Sequence, residues 1–419
     1  MAIKQWFKLD TAGKMYSSIK SSRATTLFRL SADLKETVDP DLLQEALDHI
    51  IERFPYFNVN LRRGVFWYYF EWNESHPLIE PEAHYPCMNM PIKKKGVHPF
   101  RVLYFNKKVS VEFSHIITDG AGAVTFMRAL LFEYYKLQGV EAQDPSIFKF
   151  GDEPDAGETE DAFGAHYDEN IPMYRRRVNA FHFPFKREKK GVYNVVTGIV
   201  PVADILSESR SHKVSITEFL SAVYFDSIQE LMERDGFKKK PIVLNIPVNL
   251  RRMFGSKTMR NFFISVTPMI DPRLGHYTFE EILKYMHHFM KITVDEKYVM
   301  QQIRQSVISE KTLFLRVVPL FIKDMLMPII YRTYGEGNYT SGFSNVGPIK
   351  MPPELEAHIE RFELYPPPST GNTLKVTMVS YQDKLYISFG SLSRDRRVEQ
   401  IFFTKLRKMG MPVKIEANR

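Results

Sequence analysis

The fold is decided at residues 113–122, which read FSHIITDGAG. Upstream, residues 101–113 alternate apolar and polar side chains on either side of a polar turn, a pattern that predicts a β-hairpin whose second strand ends near His115. Downstream, apolar residues recur at helical spacing over residues 123–134, which predicts a helix. The stretch is therefore a strand-to-helix turn, where a side chain can be held firmly and still face a cleft.

His115 and Asp119 are the side chains of this turn that can carry chemistry. Imidazole has the unperturbed pKa that lies nearest to neutral pH, so His115 is a candidate general base. A buried carboxylate at Asp119 would need a cationic partner. Gly120 and Gly122 have no Cβ atom, so backbone or ligand can approach them closely and positive φ costs little. The alternative interpretation is structural, with a satisfied histidine at a strand end and an aspartate that caps the next helix.

A second segment offers a cation for that carboxylate. Residues 241–248 predict an apolar strand, and Arg251 and Arg252 follow it directly. A guanidinium group can bind a carboxylate through two hydrogen bonds and does not lose its charge. The alternative is that both arginines face solvent in a loop.

A third segment, residues 340–348, reads TSGFSNVGP. The hydroxyl of Ser344 and the amide of Asn345 stand beside glycines, an arrangement that suits hydrogen bonding to a developing oxyanion. The competing interpretation is a polar transition from a strand to a loop.

Length and composition limit the classes of function. A chain of 419 residues predicts two domains of around 200 residues. The fractions of apolar (44%) and charged (25%) residues are ordinary for a soluble globular protein. The net charge of +8 suits an anionic ligand, but the basic residues are scattered, which argues against a nucleic-acid-binding protein.

The sequence argues against a disulfide, a metal cluster and a membrane span. Cys87 is the only cysteine, and His84 beside it has no further ligand nearby. The first residues lack a signal peptide, so we expect a cytoplasmic protein. Residues 312–331 are strongly apolar, yet charges and two prolines interrupt them. We therefore expect helices that line an apolar core or tunnel rather than a span, and shallow membrane contact is left open.

Taken together, four elements resemble the CoA-dependent acyltransferase superfamily, which includes chloramphenicol acetyltransferase and peptide-synthetase condensation domains. They are His115-x-x-x-Asp119-Gly120, PVNLR at residues 247–251, Asn261-Phe262, and SNVGP at residues 344–348. The likeness is greatest to bacterial alcohol acetyltransferases and also includes residues 53–55 and 61–69, so it extends over nearly the whole chain. Two features depart from relatives: Ser114 stands where many have a second histidine, and the DFGWG segment of the plant enzymes is missing.

The resemblance implies an α/β fold made of two chloramphenicol-acetyltransferase-like lobes in a V-shaped pseudo-dimer with a central tunnel. The N-terminal lobe would span residues 1–185, of which about 140–185 form a crossover or linker, and the C-terminal lobe would span residues 186–419. Residues 140–170 are acidic and lack an apolar period, which agrees with a boundary there.

The resemblance also implies roles for individual residues. His115 would take the proton of the acceptor while its oxygen attacks a thioester carbonyl, and Asp119 would orient the turn through a salt bridge to Arg251. The other site residues would be Gly120, with Ser344, Asn345 and Asn261 at the oxyanion or along the tunnel.

The activity that the resemblance implies is transfer of an acyl group, such as acetyl, from acyl-CoA to a small or lipophilic alcohol. CoA would be a co-substrate, with no permanently bound cofactor and no metal, and a chain that contains both lobes is compatible with a monomer. Three alternatives stay open: an acyl carrier protein as the donor, an amine as the acceptor, or a non-catalytic binding module that keeps the fold.

Overall fold

The computed structural model describes residues 6–17, 25–172, 178–312, 316–330 and 335–418, apart from the side chains of residues 309, 310 and 330. The helices of these residues are α1 (Thr11–Ser17), α2 (Pro40–Arg53), α3 (Gly120–Leu137), α4 (Ala162–Ala165), α5 (Val202–Ser211), α6 (Ile216–Arg234), α7 (Arg251–Phe254), α8 (Phe279–Thr293), α9 (Glu296–Lys311), α10 (Leu320–Ile330), α11 (Pro353–Glu356) and α12 (Arg397–Lys408).

The strands of the described residues form three sheets. They are β1 (Trp6–Lys8), β2 (Leu27–Leu34), β3 (Val59–Arg63), β4 (Tyr68–Trp72), β5 (Ile79–Pro81), β6 (Phe100–Phe105), β7 (Lys108–Ser114), β8 (Asn194–Pro201), β9 (Ile242–Asn249), β10 (Phe263–Val266), β11 (Met269–Ile270), β12 (Ser341–Ile349), β13 (Ile359–Tyr365), β14 (Leu374–Tyr381), β15 (Lys384–Ser391) and β16 (Lys414–Ala417). Helices and sheets mix throughout, and the chain has the α/β, two-lobed architecture predicted from the sequence.

The N-terminal lobe is built on a five-stranded sheet with the order β13-β2-β7-β6-β5. Strands β6 and β7 form the predicted hairpin, and Phe113 near the end of β7 lies opposite Phe28 on one side and Phe100 on the other. Helices α2 and α3 pack on this sheet, where Phe113 also meets Phe126 of α3 edge to face at 5.4 Å. This aromatic core fixes the end of β7 and therefore the turn that follows it.

The C-terminal lobe is built on an eight-stranded sheet in the order β10-β9-β12-β14-β15-β8-β16, with β11 added beside β9. Helices α6, α8 and α12 cover it and bury a second apolar core. Strand β12 runs parallel to both of its neighbours, β9 and β14. A third, small sheet joins β1, β4 and β3.

One strand crosses from the second half of the chain to the first sheet. Strand β13 pairs antiparallel with β2, so a segment from the range 186–419 completes the sheet of the N-terminal lobe. The division of the lobes at residue 185 stays a prediction.

Local capping explains where the central helix begins. Helix α3 starts at Gly120, three residues before the apolar pattern, because Oδ1 of Asp119 accepts hydrogen bonds from the backbone N–H groups of Ala121 and Gly122. Neither Gly120 nor Gly122 has positive φ, so the fold does not use the conformational freedom of these two glycines. Gly122 is instead required by close packing, because a Cβ atom there would lie 2.0 Å from Oγ1 of Thr118.

The apolar stretch at residues 312–331 is described in part. It contains α10, while residues 313–315 and 331 lie outside the described residues. In the part of the chain that the structure describes, no helix has both the length and the apolar character needed to cross a bilayer.

Candidate active site

The backbone of His115 is held from both lobes. Its N–H donates to the carbonyl oxygen of Thr26 at 2.8 Å, and its carbonyl oxygen accepts a hydrogen bond from Nδ2 of Asn261 at 2.9 Å. The imidazole stacks on Tyr16 with ring centroids 5.1 Å apart, and Phe28 lies on it at 4.5 Å. These contacts determine where the ring points before any substrate binds.

The surroundings of His115 keep the imidazole neutral. Burial lowers the pKa of His115 to about 4, while the negative charge of Asp119 opposes this shift and the positive charge of Lys375 adds to it. Nδ1 is buried and has no hydrogen-bond partner among the described residues. This leaves Nε2 as the ring nitrogen that can accept a proton from a bound molecule.

Asp119 and Arg251 meet across the lobes. Nη1 of Arg251 donates to Oδ2 at 2.9 Å, and Nη2 donates to Oδ1 at 3.0 Å. The carboxylate also accepts from the backbone N–H of Phe262 at 3.0 Å. Among the described residues, its partners are therefore Arg251 and backbone N–H groups, and it does not hydrogen bond to the imidazole of His115. Its hydrogen bonds hold the turn between β7 and α3 in contact with Arg251.

Arg251 also fixes a loop of the C-terminal lobe. Its Nε donates to the carbonyl oxygen of Thr258 at 2.7 Å, and its Nη2 also donates to that of Arg260. In the same loop, the carbonyl oxygen of Met259 accepts a hydrogen bond of 2.6 Å from Oγ1 of Thr118. The ion pair and these bonds tie the loop to the turn of the N-terminal lobe that carries His115.

The cavity beside His115 has a volume of about 370 Å³ and is enclosed by both lobes. The N-terminal lobe contributes Tyr16, Phe28, His115, Gly120 and Val124, and the C-terminal lobe contributes Asn249, Phe263, Ser344, Val346, Lys375 and Thr377. Of the seven predicted site residues, all but Asn261 line this cavity.

Asn261 lies elsewhere than predicted. Only 1% of the residue is exposed, and its Nδ2 also contacts Oδ2 of Asp10 at 3.3 Å. Asn261 therefore does not line this cavity. Its side chain lies outside the cavity, where Nδ2 donates a hydrogen bond to the carbonyl oxygen of His115.

Ser344 and Asn345 face different partners, because neighbouring residues of a strand point to opposite faces. The side-chain amide of Asn345 donates to Oγ1 of Thr217 at 3.1 Å, and its Oδ1 accepts from the N–H of Gly347 at 2.9 Å. Both ends of Asn345 are therefore occupied. Of the two predicted donors, Ser344 and Asn345, it is Ser344 whose hydroxyl is still free to bind a ligand. This hydroxyl lies on the cavity wall and has no hydrogen-bond partner among the described residues.

Lys375 is a cavity residue that the sequence reasoning missed. It lies on β14, and its Nζ donates to the carbonyl oxygen of Pro367 at 3.1 Å. Burial lowers the pKa of Lys375, and the carboxylate of Glu336 opposes that shift. No local signal marked it, because Lys375 alternates with Leu374 and Val376 in the ordinary pattern of a half-buried strand.

Tyr16 was missed for a different reason. It stands near the end of the seven-residue helix α1, which carries no clear apolar period. Its role depends on the contact with the His115 ring, a pairing that is distant in sequence and leaves no local pattern.

The site as a whole offers acid–base chemistry. The neutral imidazole of His115, the hydroxyl of Ser344 and the ammonium of Lys375 are among the polar groups that line the same largely apolar cavity. In the described part of the chain, no cluster of three or more His, Cys, Asp or Glu side chains is arranged to hold a metal ion.

The sequence matches no protein-family model and no curated protein, so the comparisons that carry information are structural. The chain is similar to polyketide synthase associated protein 5 from Mycobacterium tuberculosis, with a TM-score of 0.63, 14% identity, and 95% of this chain and 96% of that chain covered. It is similar to TRI101 of F. sporotrichioides, solved as a complex with coenzyme A and T-2, with a TM-score of 0.64, 10% identity, and coverage of 98% and 100%.

A third similar structure is the first condensation domain of the calcium-dependent antibiotic synthetase, solved with a substrate analogue. The TM-score is 0.61 at 12% identity, and 97% of this chain and 95% of that domain are covered. At such identities the likeness establishes the fold and leaves the reaction open. The chain thus has the fold of the superfamily that contains CoA-dependent acyltransferases and condensation domains, as its sequence motifs predicted.

Proposed function

We propose that the protein transfers an acyl group from acyl-CoA to the hydroxyl group of an alcohol, with His115 as the general base. The observation that carries this proposal is the state of the His115 ring. Burial holds it unprotonated at neutral pH, its backbone is fixed from two sides, and it lines a cavity that both lobes enclose. A base in this state can accept a proton as soon as a hydroxyl group is bound beside it.

The proposed reaction needs no covalent enzyme intermediate. Nε2 of His115 removes the proton of the acceptor while its oxygen attacks the thioester carbonyl, and the thiolate leaves and takes up that proton. The hydroxyl of Ser344 and the ammonium of Lys375 are the donors on the cavity wall that can stabilise the oxyanion. The thiol of Cys87 is fully buried, and burial raises its pKa well above the usual range, so it is a poor nucleophile.

Several features support the choice of substrates. The cavity wall is mainly apolar, which suits a small or lipophilic alcohol. The net charge of +8 suits the phosphates of CoA, and the similar structure of TRI101 was solved with coenzyme A. Acetyl is the acyl group we test first. A monomer and a cytoplasmic location stay predictions.

Condensation domains among the similar structures favour a second candidate. In it, the acyl group arrives on the phosphopantetheine of a carrier protein, or the acceptor is an amine. The proton transfer at His115 would be the same, so the donor and the acceptor are what the experiment has to distinguish.

The test is a thiol-release assay with acetyl-CoA and longer acyl-CoA donors against a panel of alcohols. We expect His115→Gln to lower the rate by roughly 10²–10⁴-fold without unfolding the protein, because general base catalysis contributes about that much. His276→Gln is the matched control, since His276 is largely exposed and pairs with Glu233 at 3.1 Å away from the cavity.

Other outcomes decide against the proposal. Release from an acylated carrier protein but from no CoA donor would select the second candidate. Equal rates for wild type and His115→Gln would exclude His115 as the base. Binding of acyl-CoA without any release, from either donor, would identify a non-catalytic module.

A further inference from the structure

An exposed apolar surface lies far along the chain from the catalytic motif. Residues 62–67 comprise the end of β3 and the turn that leads to β4, and residues 316–330 include α10. Their exposed apolar side chains, which we call the apolar face, are Val65 (72% exposed), Phe66 (43%), Val317 (58%), Phe321 (64%), Met325 (66%), Leu326 (44%) and Ile329 (63%). Phe321, Met325 and Ile329 recur every four residues of α10, so they share one side of that helix, and Val317 precedes it in the chain.

Helix α10 is docked in an unusual orientation, with its polar side toward the protein. Nζ of Lys323 donates to the carbonyl oxygen of Phe66 at 2.9 Å and lies 3.4 Å from the centre of the Trp67 ring. The carboxylate of Asp324 accepts a hydrogen bond of 2.7 Å from the hydroxyl of Tyr68. A surface helix of a globular protein normally buries its apolar side, and a large exposed apolar patch indicates a binding surface.

The charges around the apolar face are mainly positive. Residues 62–67 and 316–330 contain four cationic side chains, Arg62, Arg63, Arg316 and Lys323, and a single carboxylate, Asp324. The side chain of Asp324 is only 7% exposed, whereas that of Arg63 is 57% exposed and Arg316 is exposed as well. Arg62 pairs with Glu71 of β4 at 3.1 Å, and Arg63 lies 3.8 Å from Asp324. The exposed charge is therefore a positive excess, to which Arg63 and Arg316 contribute most.

We propose that the apolar face binds the surface of a lipid bilayer that contains anionic lipids. Apolar side chains of this size insert at the level of the headgroups, and flanking arginines contact the lipid phosphates. Helix α10 has 11 residues and is thus about 16 Å long, too short to cross a hydrocarbon core of about 30 Å. It lies on the membrane and does not span it.

The apolar face connects to the candidate active site through α1. The ring of Trp67 contacts Lys323, and Nζ of Lys14 in α1 lies 5.9 Å from the centre of the same ring. Tyr16, also in α1, stacks on His115. A lipid-binding surface one helix away from the imidazole suits an acceptor that partitions into the bilayer. This consequence rests on the proposed function, whereas the binding itself does not.

Vesicle flotation of the full chain tests the binding. We expect the protein to float with vesicles of phosphatidylcholine and phosphatidylglycerol, to float little with phosphatidylcholine alone, and to be released by salt. The double variant Phe321→Glu/Met325→Glu should reduce the bound fraction at least about tenfold, because it places carboxylates in the inserting surface. Leu274→Glu is the matched control, since Leu274 is an apolar residue with 81% exposure outside both segments.

A site-specific probe reports insertion directly. Cys87 is buried, so a cysteine introduced as Phe321→Cys can be labelled selectively with a polarity-sensitive dye. Its emission should shift to the blue with anionic vesicles, while a dye at Leu274→Cys should not respond.

Two results would overturn the proposal. One is the failure of the wild type to bind anionic vesicles, or equal binding by the Phe321→Glu/Met325→Glu variant. The other is a wild-type dimer, seen by sedimentation, that ignores vesicles and dissociates in the double variant, because the occupant of the apolar face would then be a second copy of the chain. A thiol-release assay with a water-soluble alcohol is separate from both, so loss of activity and loss of binding are distinguished.

Discussion

Arg251 holds Asp119 through two parallel hydrogen bonds, of 2.9 Å and 3.0 Å, and this ion pair joins the first residue of α7 to the residue that caps α3. The side chain of Asp119 is 8% exposed and that of Arg251 is 15% exposed. A pair of charges removed from water to this extent stabilises the fold only while both partners are present.

Removing the guanidinium should therefore destabilise the protein. We expect Arg251→Met to lower the free energy of unfolding by about 3–5 kcal/mol, because Asp119 would be left as an uncompensated buried charge. Equilibrium unfolding in urea measures this change. The double variant Asp119→Asn/Arg251→Met should be more stable than the sum of the two single effects predicts, and strict additivity would show that the two groups do not interact.

The pH dependence of the reaction follows from the pKa of His115. The neutral imidazole is the active form, and burial lowers its pKa to about 4. The rate should therefore stay level as pH falls from neutral and drop only as pH passes through 4. A rate profile that falls near 6.5, the ordinary value for histidine, would mean that the imidazole is solvated or that another group controls the reaction.

Stability should respond to the same group. Between pH 6.5 and pH 4, the unfolded chain binds a proton at His115 that the folded chain does not bind, so this residue makes folding less favourable as pH falls through that range. Asp10 acts in the opposite direction, because burial raises its pKa to about 6. The stability that the protonated carboxyl group contributes is present at low pH and is lost as pH rises through 6. The difference in unfolding free energy between wild type and His115→Gln, measured against pH, isolates the contribution of His115.

Lys375 should affect the pKa of His115. Its positive charge helps to lower the pKa of His115, so Lys375→Met should raise that pKa and move the acidic limb of the rate profile to higher pH. Lys375→Arg keeps the charge and is the control that should leave the limb in place. An unchanged limb in Lys375→Met would mean that the ammonium does not act on the ring, and any loss of rate would then come from the oxyanion.

The sequence predicted the parts of the site that depend on local patterns. The strand that ends near His115 and the helix after Gly122 each show a regular spacing of apolar residues. Arg251 was recognised because it follows an apolar strand directly. The pairing of Asp119 with Arg251 could be expected because a buried carboxylate needs a cation. These predictions required only short-range regularities and the cost of burying charge.

The rest depended on contacts that are distant in sequence. Strand β13 pairs with β2 at the edge of the sheet of the N-terminal lobe. No property of residues 359–365 alone reveals this pairing. Asn261 turned out to support the backbone of His115 because the loop that carries it is tied to Arg251. Ser344 and Asn345 both line the cavity, but only the structure shows that the amide of Asn345 is occupied by Thr217 and Gly347.

Asn261 should act as a positioning residue. Asn261→Leu removes the hydrogen bond to the carbonyl oxygen of His115, and we expect kcat to fall about tenfold or more while KM changes little, because the imidazole is misplaced but the cavity wall is intact. Asn261→Asp would place a second carboxylate beside Asp10 and should destabilise the fold more at neutral than at acidic pH. A change in KM alone would contradict the positioning role.

Gly122 tests the close packing between α3 and the loop of the C-terminal lobe. A Cβ atom there would lie 2.0 Å from Oγ1 of Thr118 and 2.9 Å from the carbonyl oxygen of Met259, the two atoms that hydrogen bond to each other at 2.6 Å. Gly122→Ala must therefore break this buried bond or displace the start of α3, and we expect it to cost about 2–4 kcal/mol even though alanine favours the helix.

Thermal and urea unfolding of matched alanine variants separate this clash from the general effect of replacing glycine. Gly342→Ala is the control, because its Cβ would meet only the side chain of Lys375 at an ordinary 3.6 Å, and its φ is not in the positive region that strains a side chain. In a Thr118→Ala background the oxygen at 2.0 Å is removed, so Gly122→Ala should cost less there than in the wild type. If its cost is the same in both backgrounds, the contact between Thr118 and position 122 does not limit the packing, and the requirement for glycine must come from Met259.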